Sequence, residues 1–425
     1  MGDSMSGPHI LIVNVLYAPN TYGGATVVAE QVSHALMRNH NCRISAVSLI
    51  SRDDLLPYTV IKSEVRGQAS YLINVPLNRP YAQRHSNPHI AQTVGQLIDA
   101  ISPNLVHVHC VQDVGAGVIE ATKARDLPVV LSVHDFWWIC ERQFMIGVDG
   151  RYCGQSPVTL QRCRGCVENL SAARTRQAAL MRQASLADVI TYPSQFARVL
   201  CEESGMPKDR GIVWRNGVQM PGFKFKQEQE ARRAQDGRLA FGYLGGPAHI
   251  KGWPDIRAAF TAQKQSDFTV HLVDGSRDGS WWRDHNFADL PGTWQIHGRF
   301  DQDQMDTFYA RIDVLLFISQ WKETFGLAIR EALARGIRVI QTDSGGTTEH
   351  GALDPSCLIP IGAGPLPLAQ RITDELSRTT RGQPTVLVDS FDDQAQALMK
   401  MVHPLLSRLP STSRSTQHGT WGSVA

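Results

Sequence analysis

The chain has 425 residues, of which 42% are hydrophobic and 19% are charged, and its formal net charge is +2. The length predicts two or three domains, and the composition is that of an ordinary globular protein. A net charge this small argues against a nucleic-acid-binding protein, so we expect no nucleic-acid partner. The sequence contains no run of about 18 apolar residues and no secretory signal at its start, so we expect a cytoplasmic protein.

Short apolar segments alternate with helical patterns through the first half of the chain. Residues 9–17 are predicted to form a buried strand, and a glycine-containing turn follows at residues 20–24. Residues 25–36 then place apolar side chains on one face of a helix. Further strands are predicted in "CRISAVSL", "NLVHVHCV", "PVVLSVHDF" and "ADVITYPS". Strands that alternate with helices indicate parallel βα units whose sheet is covered on both faces.

The alternation is interrupted at residues 213–237. Two turn signals, Asn216-Gly217 and Pro221-Gly222, precede a charged stretch, and we interpret this segment as a linker at a domain boundary. The alternation then resumes, with strands predicted in "RLAFGYLGG", "FTVHLVDG", "TWQIHGRF", "DVLLFIS", "IRVIQTDSGG" and "SCLIPIG".

The predicted fold class is α/β, with two Rossmann-like doubly wound domains that face a central cleft. The first domain spans residues 1–215 and contains a cysteine-rich insertion at residues 138–168, and the second domain spans residues 216–390. An amphipathic helix at residues 391–410 is expected to return to the first domain, followed by a disordered tail at residues 411–425. Ligands of doubly wound sheets bind outside the carboxyl ends of the strands, so the loops after strands are the candidate sites.

Three loops that follow predicted strands carry a pair of glycines. A single pair is equally compatible with a turn that has no ligand, and a lysine beside it with an ordinary surface residue. However, glycines let a backbone approach a ligand closely, helix N-terminal amides attract anions, and Lys251 adds a point charge suited to phosphate. Three such loops in two domains indicate a diphosphate held between the domains. The pairs are Gly23-Gly24, Gly245-Gly246 and the pair within residues 342–350.

Two glutamates lie eight positions apart in "ETFGLAIREALARG", residues 323–336. Acids near the start of a helix are common, because they complement the helix dipole. On spacing alone, solvated surface acids are therefore the simpler interpretation of Glu323 and Glu331, and the surrounding motifs have to decide.

The order of the motifs resembles the retaining glycosyltransferases of family 4, which have the GT-B fold. The segments that carry the resemblance are "GG" after the first strand, "SVHD", "YPS", "NGV", "YLGG…KGW", "ETFGLAIRE" and "SGGTTEH". The two-glutamate pattern is the most specific of them. The resemblance implies that the protein moves a sugar from a UDP- or GDP-linked donor to a hydroxyl group and retains the anomeric configuration. The implied setting is polysaccharide, glycolipid or other glycoconjugate biosynthesis.

The resemblance also implies roles for individual residues. Glu323 would contact the transferred sugar, Glu331 would bind the ribose hydroxyls and Lys251 would bind phosphate, while His134 would line the sugar site. Glu323, His134 and Lys251 form the implied catalytic set. The backbone amides of residues 325–327 would lie near the sugar and the diphosphate. The remaining implied donor-binding positions are Gly23, Gly24, Gly245, Gly246, His297, Arg299, Thr324, Phe325, Gly326 and Leu327.

One position departs from the family pattern. The family usually carries an arginine five residues before the lysine, and that position is Gly246 here. His249, Arg277 and Arg299 are candidates for supplying the missing charge, and each is also compatible with an ordinary surface role. The chain shows no evident carboxylate nucleophile for a double displacement. The resemblance implies a same-face displacement in which the leaving diphosphate deprotonates the acceptor hydroxyl.

We expect catalysis without a metal ion. The segment "DQD" at residues 301–303 has two acids that could hold a divalent cation. It directly precedes the predicted helix "QMDTFYARI", however, which is the position of a helix N-cap. We therefore interpret it as a cap.

Four cysteines lie within the insertion at residues 138–168, and two of them form a C-x2-C pair. Four thiolates can enclose one zinc ion tetrahedrally, and free thiols are an equally good interpretation. An iron–sulfur cluster is the alternative metal group, and disulfides are disfavoured in a cytoplasmic protein. A subset of the family, which resembles polysaccharide-assembly enzymes, carries similar cysteines after "HDFW". The candidates for a structural metal site are Cys140, Cys153, Cys163 and Cys166.

The first domain is expected to bind the acceptor, which would be a glycan, a lipid-linked precursor or a small molecule that bears a hydroxyl group. The basic residues near its cysteines are compatible with an ordinary solvated helix. They are also compatible with peripheral contact to anionic lipid at the inner face of the membrane. These residues are Arg162, Arg164, Arg174, Arg176 and Arg182.

Two other functions remain open at this point. A nucleotide-sugar epimerase of the same fold would need acid and base groups that we do not identify. A catalytically inactive sugar-binding subunit is disfavoured by Glu323, Glu331 and Lys251, and is mildly favoured by Gly246. A dinucleotide oxidoreductase is disfavoured, because no G-x-G-x-x-G segment follows a strand.

Overall fold

The structure, a computed structural model, describes residues 7–407, which contain thirteen strands and eleven α-helices. The strands are β1 (His9–Val13), β2 (Arg43–Ile50), β3 (Val60–Val65), β4 (Gln68–Asn74), β5 (Leu105–Val108), β6 (Val129–Ser132), β7 (Val189–Tyr192), β8 (Gly211–Val213), β9 (Leu239–Tyr243), β10 (Phe268–Val273), β11 (Thr293–His297), β12 (Val314–Phe317) and β13 (Arg338–Gln341). The helices are α1 (Gly24–His40), α2 (Pro88–Ile101), α3 (Val118–Lys123), α4 (Leu170–Ala184), α5 (Gln195–Glu203), α6 (Phe225–Gln235), α7 (Trp253–Thr261), α8 (Met305–Tyr309), α9 (Leu327–Ala334), α10 (Pro365–Leu376) and α11 (Phe391–Leu406).

The strands form two separate sheets, and the predicted class of two Rossmann-like α/β domains is confirmed. The first sheet has the order β3-β4-β2-β1-β5-β6-β7-β8, and the second has the order β11-β10-β9-β12-β13. All neighbouring strands are parallel except β3 and β4. The chain reverses direction across the sheet between β1 and β5, and again between β9 and β12. Ligands of doubly wound sheets bind at such reversals, so the loops after these four strands mark the candidate site.

The central strands form where apolar residues run without interruption. Every residue of β1 and of β6 is buried, as expected for parallel strands that are covered on both faces. Helix α11 follows the second sheet in the chain but packs on the first domain, where Leu398 and Val402 share a core with Val28 and Leu36 of α1. Residues 408–410 of the predicted terminal helix and the predicted tail at residues 411–425 lie outside the described residues.

The charged stretch that we interpreted as a linker contains helix α6, which belongs to the second domain. Phe225 at its start is 3% exposed and packs in the core with residues of α8. The guanidinium groups of Arg232 and Arg233 each lie 2.8 Å from the fully buried carboxylate of Asp313. The charges of this helix therefore bind a buried acid, which a composition pattern cannot distinguish from the charges of a linker.

Three further elements differ from the sequence prediction. The hairpin of β3 and β4 and the short strand β8 were not predicted. Strands β3 and β8 form the two edges of the first sheet, and neither contains a fully buried residue. The segment "SCLIPIG" was predicted as a strand and is not one. Pro355–Cys357 forms a 3₁₀ turn, and Ile359 makes only an isolated bridge with Thr342. Pro355 before this segment and Pro360 within it have no N–H group to donate to a strand ladder.

Candidate active site

The loops after β9 and β12 bring two of the predicted site residues together. Lys251 lies in a 3₁₀ turn after β9, and its Nζ donates a hydrogen bond to Oε1 of Glu323 at 2.8 Å. The hydroxyl of Ser319 donates to the same oxygen at 2.6 Å. The lysine side chain is 33% exposed and the glutamate side chain 13% exposed, so the pair borders the solvent. This ion pair lies at the chain reversal of the second sheet. Its lysine can bind a negatively charged group of a ligand, and its glutamate can accept a hydrogen bond from a hydroxyl group.

Helix α9 begins directly after this loop, at Leu327, and Gly326 is its N-cap. The φ of Gly326 is +83°, and a Cβ atom there would lie 2.9 Å from Cγ2 of Thr347, so both the backbone conformation and the available space require glycine. The first turn of α9 contains no acidic residue, and its N-terminal amides have no intrahelical acceptors. The start of α9 therefore presents the positive end of a helix dipole.

The start of α1 in the first domain lies against the start of α9. A Cβ atom on Gly24 would be 3.2 Å from Cδ1 of Leu327, whereas one on Gly23 would have no heavy atom within 4 Å. Gly23 has a φ of +84°, and the first turn of α1 also contains no acidic residue. Two helix N-termini from different domains thus meet beside an open space. Both dipoles favour an anion there.

A buried arginine holds the backbone around the start of α9. Arg330 is 3% exposed, and its guanidinium donates hydrogen bonds to the carbonyl groups of Phe325, Gly346, Thr347 and Glu349. It also stacks on the ring of Phe325 at 4.1 Å. Burial lowers the pKa of Arg330 to about 9, which leaves the group protonated near neutral pH. A side chain that the sequence analysis did not single out thus fixes both loops of the site.

The same loops contact the first domain directly. Oγ1 of Thr324 donates to the carbonyl of His134 at 2.7 Å. The carboxylate of Glu349 accepts from the backbone amides of Gln195 at 2.9 Å and Phe196 at 2.6 Å, at the start of α5. Thr324, which the resemblance assigned to donor binding, therefore uses its hydroxyl to join the two domains.

Glu331 points from α9 into the second domain. The residue is 8% exposed, and the hydroxyl of Tyr309 donates to its Oε2 at 2.8 Å. Burial raises the pKa of the Glu331 carboxyl, and the bond from Tyr309 and the nearby Arg335 partly oppose that rise. Among the described residues, Oε1 has no hydrogen-bond partner. This oxygen is available to accept hydrogen bonds from a ligand.

His134 ends a row of three histidines at the carboxyl ends of β5 and β6. Its Nε2 and Nδ1 of His109 are 2.8 Å apart, and the ring centroids of His109 and His107 are 4.0 Å apart. Burial lowers the pKa of His134 to about 4 and that of His107 to about 3, and it holds the pKa of His109 well below its ordinary value. The row is therefore neutral near pH 7. His107 and His109 were missed, although their alternation at the end of a predicted strand was a visible signal.

The space around Gly246 is filled by neighbouring side chains. It is buried with a φ of +69°, and a Cβ atom there would lie 2.6 Å from Cε3 of Trp281. The hydroxyl of Tyr243 donates to the carbonyl groups of Gly246 at 2.8 Å and Lys251 at 3.0 Å, which fixes this loop. A Cβ atom on Gly245 would approach the same hydroxyl at 2.5 Å. An arginine at position 246 would therefore require Trp281 to move.

Two of the implied donor-binding residues, His297 and Arg299, lie at and just after the end of β11. Nε2 of His297 is 2.8 Å from Nδ1 of His271 on β10. Arg299 is exposed, and its guanidinium donates to the carbonyl of Thr21 in the first domain at 3.0 Å. His249, another candidate cation, is exposed on the turn that carries Lys251.

Trp321 was missed by the sequence analysis and lies between the ion pair and the cysteine-rich insertion. It is 6% exposed, its ring centroid lies 5.2 Å from that of Phe144 in the insertion, and Nζ of Lys251 lies 5.5 Å from its ring centroid. Its Nε1 is buried without a hydrogen-bond partner among the described residues. The insertion therefore contacts the second domain beside the active-site lysine.

The four cysteines of the insertion line one cavity of about 480 Å³, and all four are free thiols. Gly165, with a φ of +82°, forms the turn of the C-x2-C pair, and the amide of Gln155 donates to Sγ of Cys163 at 3.6 Å. Within residues 7–407, no group of three or more Cys, His, Asp or Glu side chains is arranged to hold a metal ion. The thiols thus converge on one space without adopting a ligand geometry.

Two further predictions concern charged residues near the site. Asp301 forms a capping box with Gln304 at the 3₁₀ turn that leads into α8, so the interpretation of "DQD" as a cap is confirmed. Arg176, which we placed on a basic surface, is 4% exposed; its guanidinium donates to the carbonyl of Trp137 and stacks on that ring at 4.7 Å. The exposed basic surface of this region is therefore smaller than predicted, because one of its five arginines, Arg176, is buried against an aromatic ring.

Two facing Rossmann-like domains, with helix N-termini opposed across the cleft, define the GT-B class of glycosyltransferases. Residues 22–220 match the family model described as Glycosyltransferase Family 4, and residues 238–378 match the one described as Glycosyl transferases group 1. The chain therefore carries both of these glycosyltransferase domains on a GT-B fold. No curated protein sequence matches it significantly.

Solved structures with the same fold cover nearly the whole chain. HepE from Anabaena in complex with UDP-glucose has a TM-score of 0.60 at 17% identity, over 95% of this chain and 100% of HepE. Sucrose-phosphate synthase from Thermosynechococcus elongatus has a TM-score of 0.58 at 16% identity, over 94% and 98% of the two chains. A glycosyltransferase from Rickettsia africae has a TM-score of 0.54 at 16% identity, over 93% of each chain. At these identities the likeness shows the fold alone.

The histidine row predicts how stability depends on pH. Each imidazole has a pKa below its ordinary value of 6.5, so the unfolded chain binds more protons than the folded chain between about pH 6.5 and about pH 4. Stability should therefore fall as the pH falls through this window. His109→Gln should reduce the drop in melting temperature between about pH 7.5 and about pH 5, and His403→Gln, on the exposed face of α11, should not. An equal drop in wild type and His109→Gln would contradict the assignment.

Proposed function

We propose that the protein is a retaining glycosyltransferase whose donor is a nucleoside diphosphate sugar. The observation that carries the proposal is the ion pair of Lys251 and Glu323 beside the opposed starts of α1 and α9. This arrangement offers one mobile cation and two helix dipoles to a diphosphate, and one carboxylate to a sugar. The complex of HepE with UDP-glucose supports UDP over GDP as the nucleotide.

The donor would lie with its diphosphate at the start of α9 and its ribose toward Glu331. The bond between the anomeric carbon and the diphosphate oxygen breaks, and a bond from the acceptor oxygen to the same carbon forms on the same face. The acceptor proton passes to the leaving diphosphate, so the products are a glycoside and UDP. The carboxylate of Glu323 and the neutral imidazole of His134 would position the sugar, and Lys251 would stabilise the charge that develops on the diphosphate.

The acceptor would bind to the first domain and carry a hydroxyl group, as in the assembly of polysaccharides or other glycoconjugates. Four of the five arginines near the cysteines remain exposed and would suit a lipid-linked acceptor at an anionic membrane surface. The helices of residues 7–407 include none that is long and apolar enough to span a bilayer.

We propose that the four cysteines bind a structural zinc ion. We propose no catalytic metal. The residue types suit zinc, because four thiols line one cavity and a glycine turn joins the C-x2-C pair. The thiols would have to move closer together to bind it, since no such group in residues 7–407 is arranged to hold a metal ion. Bound zinc would fix the insertion and require its thiols to be deprotonated. An iron–sulfur cluster remains the alternative group for the same donors.

The proposed function is tested by a donor screen followed by product analysis. Thermal melting with UDP, GDP and their sugar conjugates should show stabilisation by at least one of them, because a ligand of the folded state raises the melting temperature. A donor with an α-linked sugar should then yield an α-linked product by NMR. A β-linked product would contradict retention, and the absence of binding by every nucleoside diphosphate would contradict the whole proposal.

Glu331→Gln should weaken recognition of the ribose. The wild type is expected to bind UDP more tightly than 2′-deoxy-UDP, because hydrogen bonds to a charged acceptor contribute about 1.5–3 kcal/mol each. The variant should lose most of this preference, which corresponds to a factor on the order of ten or more in Kd. Calorimetry with both nucleotides measures the ratio. A preference that persists in Glu331→Gln would show that another group reads the ribose.

Lys251→Ala should weaken the binding of UDP by about tenfold or more and leave the affinity for uridine unchanged, because the ammonium group interacts with phosphate. Lys264→Ala is a matched control, since Lys264 is an exposed lysine of the same domain outside the cleft loops. Calorimetry should show no change in the control. Equal losses for UDP and uridine would mean that Lys251 does not read phosphate.

Cys163→Ser should remove a metal ion from the purified protein and impair sugar transfer, while the affinity for UDP is largely kept. Elemental analysis should find about one zinc per chain in the wild type and much less in the variant, as a four-thiolate site requires. Cys357→Ser, at an exposed cysteine outside the insertion, should retain the metal. Iron with a visible absorption band would indicate a cluster instead. Fully active metal-free protein would rule out both.

A further inference from the structure

Two arginines of the second domain converge on one aromatic ring of the first domain. Arg277 follows β10 and Arg299 follows β11, and their guanidinium carbons lie 5.4 Å and 5.9 Å from the ring centroid of Tyr22. Arg299 also donates to the carbonyl of Thr21 at 3.0 Å. Tyr22 directly precedes Gly23, where a side chain would meet open space. The two cations therefore lie at the edge of the gap between the starts of α1 and α9.

Neither arginine is neutralised within the part of the chain that the structure describes. Arg277 and Arg299 form no ion pair with any carboxylate of residues 7–407, and both are exposed. The first turns of α1 and α9 contain no acidic residue either. The gap thus collects two unpaired guanidinium groups and two helix dipoles of the same sign. Such an arrangement carries uncompensated positive charge and favours an anion.

Lys251 is the lysine of the loop after β9, and its ammonium group already has a partner in Glu323. The loop after β9 has no room for an arginine at position 246, because Trp281 fills the space next to Gly246. A diphosphate carries more negative charge than one partly neutralised lysine can balance. The loops after β10 and β11 offer additional positive charge in Arg277 and Arg299.

We infer that Arg277 and Arg299 bind the diphosphate of the donor and take the place of an arginine in the loop after β9. The inference rests on the proposed function. Tyr22 holds the two guanidinium groups near the gap while it is empty, through cation–π contacts that are weaker than charge-assisted bonds to phosphate. When the donor enters, the arginines exchange the ring for phosphate oxygens. Because they belong to the second domain and Tyr22 to the first, this exchange couples donor binding to contact between the domains.

The test compares nucleotides that differ only in their phosphates. Arg277→Gln and Arg299→Gln should each weaken UDP binding by about tenfold, and the double variant should weaken it further, whereas uridine binding stays unchanged. The affinity of the wild type for UDP should also fall more steeply with salt than that of the double variant. Arg283→Gln is the matched control, since Arg283 is an exposed arginine between β10 and β11 that forms no ion pair in residues 7–407.

A second variant separates phosphate binding from a purely mechanical tie between the domains. Tyr22→Leu removes the ring but keeps both cations, and it should retain the wild-type affinity for UDP or exceed it. A loss in Tyr22→Leu equal to that in the arginine variants would show that the cluster only joins the domains, and would overturn the inference. So would unchanged UDP binding in the double variant, or an equal loss of uridine binding. A wild type that binds neither UDP nor GDP would refute the proposed function instead, which keeps the two failures distinct.

Discussion

The active-site loops depend on one buried cation. Arg330 has almost no contact with solvent, yet its charge is met by backbone carbonyl groups from both sides of the site. Carbonyl dipoles satisfy the guanidinium fork without requiring a buried carboxylate, whose desolvation would be costly. Because the acceptors lie in two loops, the arginine fixes the distance between the start of α9 and the turn at Gly346. Glu349 connects these loops to the first domain, because its carboxylate accepts hydrogen bonds from two backbone amides at the start of α5.

The positions of these loops also determine the electrostatic potential of the cleft. Two helices from different domains begin at one gap, and neither carries an acid in its first turn. An acid there would satisfy the free amides but would also compete with an anionic ligand. The three histidines behind the gap are held neutral by burial, so they add hydrogen-bonding groups without adding charge. The positive potential near pH 7 thus comes from backbone dipoles, the buried guanidinium of Arg330, one lysine and the arginines at the edge.

The sequence predicted the parts of the site that lie on local patterns. Glu323, Glu331, Lys251 and the glycine pairs follow predicted strands or begin helices, and the alternation of strands and helices sufficed to place those loops at the cleft. It could not predict partners that meet only in the folded chain. Thr324 and His134 are 190 positions apart, and the hydroxyl that reaches Glu331 comes from another helix.

Charge in particular is ambiguous in a sequence. The arginines of α6 resembled those of a linker, because the buried acid that they bind, Asp313, lies about 80 positions away. Arg176 was predicted on the surface, and it instead stacks on Trp137. Arg277 and Arg299 resembled ordinary surface arginines, and only the folded chain shows that they share one ring across the cleft. In each case a residue that is distant in the sequence determines whether the cation is structural, solvated or available to a ligand. A sequence pattern does not show which residue that is.

The contact between Trp321 and Phe144 connects two features that the sequence presents as separate. The ring of Trp321 borders Lys251 on one side and the cysteine-rich insertion on the other. Phe144 lies between Cys140 and Cys153, so whatever orders that loop also sets the position of its aromatic ring. Met145 and Val158 of the insertion are buried in the core of the first domain, and Ile146 and Tyr152 pack against that core. The insertion can therefore influence the lysine environment without contacting a ligand, because a displaced Phe144 would expose Trp321 and change the solvation of the ammonium group beside it.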